Sequence, residues 1–163
     1  MTIQTRQLFR ADVDTLYRLL TDREFLEKKY LAVGSRNLEF LECAQDEEVF
    51  RIEWRREIPS NPPAFARKVL AEWNSMEEIM EWERLPDGGA RADYLGKVKG
   101  VPGELRGEFV LKADDGGTVE EIEMQATINI PLVGKKIASF AEDDAQANLT
   151  REYEFTRDYL GEG

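Results

Sequence analysis

The sequence predicts an α+β fold: a curved antiparallel sheet wrapped around one long C-terminal helix, with two short helices between the first and second strands. Three observations point there. From Asn37 to Ile130 apolar residues recur with period two, in runs separated by turn residues, which is the pattern of strands joined in sequence. From about Val133 to Leu160 the period changes, and Ile137, Phe140, Ala141, Ala145, Leu149, Tyr153, Thr156 and Leu160 fall on one helical stripe. Two capped helical stretches precede the period-two region. A terminal helix of roughly 40 Å, at about 1.5 Å per residue, must lay its stripe on something, and the sheet is the only candidate. A bent sheet closing on a rod encloses space, and function is expected in that space.

Ile3 to Arg10 reads as the first strand, with Ile3, Thr5, Gln7 and Phe9 on one side. Asp12 caps a helix carrying Val13, Leu16, Tyr17, Leu19 and Leu20, and Asp14 in its first turn suits the helix dipole. Asp22 caps a second helix, Arg23 to about Leu31, which Gly34 closes. Strands follow at Asn37–Ala44 and Glu48–Ile58. In the latter, Phe50, Ile52, Trp54 and Ile58 face one way and Arg51, Glu53, Arg55 and Glu57 the other. The Pro59-Ser60-Asn61-Pro62-Pro63 loop cannot pair in a sheet. With Ala64 to Leu70 it is expected to gate the enclosed space, Phe65 plugging an entrance. Glu72–Leu85 and Ala92–Lys99 form a hairpin about Pro86-Asp87-Gly88-Gly89. Glu104–Ala113 and Thr118–Ile130 form another about Asp114-Asp115-Gly116-Gly117. Between Ser139 and Leu160 no glycine or proline breaks the helix, and Gly161 supplies its stop.

With 163 residues the chain is expected to form one domain, residues 1–163, large enough to bury a core without metal or disulfide. The net charge of −11 disfavours nucleic acid and anionic membrane surfaces as partners. Cys43 is the only cysteine, so there is no disulfide and no CxxC motif. No stretch has the length and apolarity of a membrane span, so membrane insertion is not expected and the simplest placement is the cytoplasm. Histidine is absent. That removes the usual general base, the usual metal ligand and every Ser-His or Cys-His nucleophile. Neither a catalytic residue, a metal site nor a cofactor is therefore expected, and the chain reads more as a binding protein than as an enzyme.

The order of elements resembles the START-like, helix-grip superfamily (SRPBCC), which includes birch-pollen-allergen-like proteins, polyketide cyclases and lipid-transfer domains. Within it, the phrases LYRLLTDREF (Leu16 to Phe25), PAFARKVL (Pro63 to Leu70), IPLVGKKI (Ile130 to Ile137) and EFTRDYL (Glu154 to Leu160) are similar to an uncharacterised bacterial family. The resemblance implies a hydrophobic cavity between sheet and C-terminal helix, of the kind used for lipids, sterols or polyketides. It carries over no functional residue, since that family has no assigned reaction.

Polar residues on inward faces mark the candidate site. Arg56 shares the parity of Trp54, Glu78 that of Met76, Met80 and Trp82, and Tyr94 that of Ala92 and Val98. A buried charge is costly unless paired or hydrogen-bonded. Arg56 and Glu78 are thus either a mutual salt bridge or the polar end of a cavity, with Tyr94 as a further donor. Trp54, Met80, Trp82, Phe109, Met124 and Phe140 form the large apolar set, serving as core and as cavity wall. The candidate ligand-binding residues are then Trp54, Arg56, Phe65, Glu78, Met80, Trp82, Tyr94, Phe109, Met124 and Phe140.

The expected function is binding or carrying an apolar or amphipathic small molecule, by a monomer or weak homodimer. One alternative is a cyclase- or aromatase-like enzyme on such a ligand, with Tyr94, Arg56 or Glu78 polarising a carbonyl. Another is a protein-interaction module of chaperone-activator type, presenting its acidic outer face to a basic partner.

Overall fold

The computed structural model describes residues 2–163. Its elements run β1 (Ile3–Phe9), α1 (Val13–Leu20), α2 (Arg23–Ala32), β2 (Arg36–Gln45), β3 (Val49–Pro59), a 3-10 turn (Ala64–Ala66), β4 (Trp73–Arg84), β5 (Ala90–Val98), β6 (Gly103–Asp114), β7 (Gly117–Ile128) and α3 (Gly134–Tyr159). All strand pairs are antiparallel, in the order β1-β7-β6-β5-β4-β3-β2. The first strand therefore closes onto the last, while the two short helices carry the chain to the opposite edge of the sheet.

Both short helices start on aspartate caps. The Asp12 carboxylate accepts from the Thr15 amide at 2.9 Å, and that of Asp22 accepts from the Glu24 amide at 3.3 Å. Each satisfies a backbone donor that the first turn leaves without an intrahelical partner. In β3 the inward set Phe50, Ile52, Trp54 and Arg56 is buried, while the residues between them are partly exposed. Facing inward from β4, β5 and β7 are Glu78 and Trp82, Ala92 and Tyr94, and Ile122 and Met124. Helix α3 lies across this face, tied to β7 where the Ala126 amide donates to the Glu142 carboxylate at 2.9 Å. Glu142 is buried on the sheet-facing side of α3, a position the apolar stripe alone does not reveal.

Two apolar clusters result. The larger joins α1 and α2 to the sheet and to Leu149. The smaller gathers Ala66, Leu70 and Ile137, with Phe140 against them. The last strand stops at Ile128, two residues short of its expected end, because Asn129 to Val133 turn back into α3. Ile130 packs into the smaller cluster instead.

Candidate functional site

Between the concave face of the sheet, α2 and α3 lies a chamber of about 110 Å³. Ile52 and Trp54 from β3, Met80 and Trp82 from β4, Phe109 from β6, Met124 from β7 and Leu149 from α3 make its apolar wall. A second chamber of about 110 Å³ adjoins it, bounded by Pro59, Ser60 and Leu70, the Val98–Gly103 turn and α3. Ile58, Met76, Leu105, Ala145 and Asn148 line both and stand between them. For comparison, an enclosed apolar void of about 150 Å³ is large enough to hold benzene.

At one side of the first chamber stands a fully internal polar network. Arg56 is 6% exposed and Glu78 1%. The guanidinium donates twice to the Glu78 carboxylate, Nε to Oε2 at 2.7 Å and Nη2 to Oε1 at 3.0 Å, and Nη1 donates to the Ser35 hydroxyl at 3.1 Å. Tyr94 donates its hydroxyl proton to Glu78 Oε1 at 2.6 Å. The guanidinium carbon sits 4.1 Å from the centre of the Tyr30 ring, which stacks on Trp54 at 5.3 Å. Of the two readings left open for this pair, the geometry is that of a mutual salt bridge with both carboxylate oxygens hydrogen-bonded. Burial opposes the charge on Arg56, but Glu78 outweighs it and holds the guanidinium above its ordinary range. Burial and the charge on Glu78 likewise push the Tyr94 phenol well up, which keeps it protonated as a donor.

The close fit depends on Gly96. Met76 and Tyr94 flank it, and a Cβ there would stand 2.6 Å from the Tyr94 oxygen and 3.0 Å from the Met76 methyl. Only a hydrogen at this position leaves the phenol room to reach Glu78.

A second polar group lines the chamber, formed by residues outside the ten sequence candidates. Lys29 from α2, Glu120 from β7 and Glu152 from α3 all reach the wall. Lys29 Nζ lies 3.8 Å from Glu152 and 5.2 Å from the centre of the Tyr30 ring. Burial pulls the Lys29 ammonium down, against the opposing pull of Glu152 and Glu120. Glu120 is 6% exposed, and burial pushes its carboxyl up to about 7, Lys29 opposing and Glu152 adding. Its signal was present in the sequence, since Glu120 shares the inward parity of Ile122 and Met124.

Of the ten candidate residues, the structure brings eight together around the first chamber: Trp54, Arg56, Glu78, Met80, Trp82, Tyr94, Phe109 and Met124. Phe65 and Phe140 stand elsewhere. Phe65 lies on the 3-10 turn, 40% exposed, with Lys136 Nζ 4.7 Å from its ring centre, and it lines neither chamber. Phe140 belongs to the smaller core near the start of α3, a stripe residue whose helical turn lies beyond the chamber. The Pro59 to Leu70 loop, expected to act as a gate, is tied to α3 by the Ser60 hydroxyl, which donates to Asp144 at 2.8 Å. Trp54 and Trp82 are both fully buried, and neither indole N–H meets a hydrogen-bond acceptor among the described residues. Both side chains line the chamber.

Comparison with known proteins agrees with this architecture. A family model described as "Protein of unknown function (DUF2505)" matches residues 4–160. The chain belongs to that family. Among solved structures it is similar to the STAR-related lipid transfer protein from Xanthomonas axonopodis, with a TM-score of 0.63 and 14% identity over 96% of this chain and 85% of that one. It is also similar to a START superfamily protein from Mycobacterium smegmatis (TM-score 0.56, 12% identity, 98% of each chain). A third match is the protein TTHA0849 from Thermus thermophilus (TM-score 0.59, 16% identity, 94% of this chain and 95% of that one). These likenesses establish the START-like helix-grip fold. A comparison with curated proteins found no match. No helix among the described residues is long and apolar enough to cross a membrane.

Proposed function

We propose that this protein binds or carries an apolar or amphipathic small molecule in the chambers between its sheet and α3. The observation that carries the reading is the pair of adjoining voids, each about 110 Å³, walled by aromatic and methionine side chains and holding buried polar groups. An apolar enclosure with a few convergent polar groups is the usual form of a small-molecule site. The likeness to a lipid-transfer protein and a START superfamily protein supports it at the level of fold. Methionine at the constriction suits a site that adjusts to its guest, since the unbranched thioether changes rotamer cheaply.

The cyclase-like alternative would have Tyr94, Arg56 or Glu78 polarise a carbonyl. Arg56 and Tyr94 both donate to Glu78 instead, so the network favours a binding role over that alternative. The outer face of the sheet carries cross-strand ion pairs such as Arg51–Glu81 and Lys112–Glu121, which already answer part of its acidic charge.

Titration with the neutral, environment-sensitive dye Nile red tests the reading. Saturable enhancement of its fluorescence is expected, and Ala145→Trp, which fills the wall shared by both chambers, is expected to abolish it while the protein stays folded. Equal enhancement by wild type and variant would place the dye outside the cavity and count against the proposal.

A further inference from the structure

The charges lining the first chamber do not balance. Two cations, Arg56 and Lys29, face three carboxyl groups, Glu78, Glu120 and Glu152. Arg56 is taken up by Glu78 through two hydrogen bonds. Lys29 is drawn to Glu152, at 3.8 Å. Among the described residues, no cation in the chamber is left over for an incoming anion. The Glu120 side chain makes no hydrogen bond among the described residues, although it is nine-tenths buried. Opposite it in the sheet is Gln7, whose amide donates to the Leu149 carbonyl at 3.4 Å rather than to the carboxyl. The groups that act on Glu120 from neighbouring elements are Lys29 on α2 and Glu152 on α3. A buried, low-dielectric position does not tolerate an uncompensated carboxylate. It must hold a proton or meet a donor.

Given the binding role proposed above, we infer that the ligand's polar end is a hydrogen-bond donor, a hydroxyl or an amine, set against Glu120, and that the chamber turns away carboxylate and phosphate heads. An arriving donor supplies the partner that Glu120 lacks. An arriving anion finds no free cation and forces Glu120 to stay protonated beside it. The indole N–H groups of Trp54 and Trp82 remain for an acceptor atom elsewhere on the same molecule. The raised affinity of Glu120 for a proton, to about 7, accords with a carboxyl that waits for such a partner. This selectivity by head-group charge is separate from whether the cavity binds anything at all.

Three probes sharing one ring system separate the two questions: naphthalenemethanol, naphthylmethylamine and naphthoate, titrated calorimetrically against the wild-type protein at pH 7.5. The alcohol or the amine is expected to bind at least about tenfold more tightly than naphthoate, the cost of facing one buried charge with its like. Which of the two is tighter distinguishes a hydroxyl-bearing from an amine-bearing natural ligand. In Glu120→Gln, naphthoate is expected to gain and the amine to lose about tenfold, with the alcohol changing no more than about threefold. Naphthoate binding as tightly as the other two would overturn the head-group assignment and leave the binding role standing. Failure of all three to bind would overturn both. Because the ranking is read first on the wild-type protein, a misfolded variant would not rescue the inference.

Discussion

Arg56 and Glu78 show why an inward charge is tolerated here. Each is costly to bury alone, and with Ser35 and Tyr94 they supply one another with hydrogen-bond partners. Removing one partner strands the other. Arg56→Met is expected to lower the unfolding free energy in urea by about 3–5 kcal/mol, and Arg56→Met with Glu78→Leu by clearly less than the sum of the single changes. Additive losses would mean that the pair is not coupled. Glu120 carries the opposite signature. Its folded-state value of about 7 lies above the ordinary 4.5, so the folded form binds more protons than the unfolded form between those two values. Stability attributable to this residue is therefore present below about 4.5 and is lost as pH rises to about 7. Relative to Glu120→Gln, the wild type should lose up to roughly 3 kcal/mol across that window, measured by urea titration at pH 5 and pH 8. A constant difference between the two proteins would contradict the burial of an unpartnered carboxyl. The parity of strands made Arg56, Glu78 and Tyr94 legible from the sequence, because alternation fixes which face a side chain takes. Lys29 and Glu152 were not legible. They sit on helices whose apolar stripe is wide enough to cover charged neighbours, and their depth depends on where the helix crosses the sheet.

Strands β4 and β5 set the geometry that the buried network needs. The pairing of Glu78 with Gly96, and of Met80 with Tyr94, brings the phenol beside the carboxylate, and Gly96 leaves it the room. Gly96→Ala is expected to push the Tyr94 hydroxyl off Glu78 and to destabilise the fold by about 1–3 kcal/mol, the range for overpacking or for an unfilled buried acceptor. Combining it with Tyr94→Phe should cost little more than the first change alone, and full additivity would show that the glycine acts elsewhere. The loop from Pro59 to Leu70 was expected to gate the enclosed space. The Ser60–Asp144 hydrogen bond ties it to α3, and Leu70 is buried in the smaller core. Ser60→Ala is expected to speed hydrogen exchange at the Ser60 amide, which donates to the Glu72 carbonyl, without raising exchange in β3. Unchanged exchange would mean that the hydroxyl contact does not anchor the loop. Strand boundaries were readable to within two or three residues because tight turns and period-two runs punctuate the chain. The loop was not, since no periodicity dictates which way Phe65 turns once prolines interrupt the pattern.

Taken together, the elements enclose a space by a simple geometric route: β1 closes onto β7, the sheet bends, and α3 lies across the opening. That architecture was legible from the order of elements and from the length of the final helix. The size of the enclosure was not, because the same aromatic and methionine residues would serve a solid core equally well. Division into two small chambers depends on the side chains of Ile58, Met76, Leu105, Ala145 and Asn148, whose packing no sequence pattern specifies. A guest spanning both would have to displace these five, and Met76 is the most adaptable of them. Native mass spectrometry of the protein recovered from its own host, beside the Ala145→Trp variant prepared in parallel, reads occupancy of that enclosure. A one-to-one adduct with an uncharged or amine-bearing molecule on the wild type, lost in the variant, is the result expected. A bare polypeptide mass for both, with the interior packed solid in a crystal structure, would contradict it.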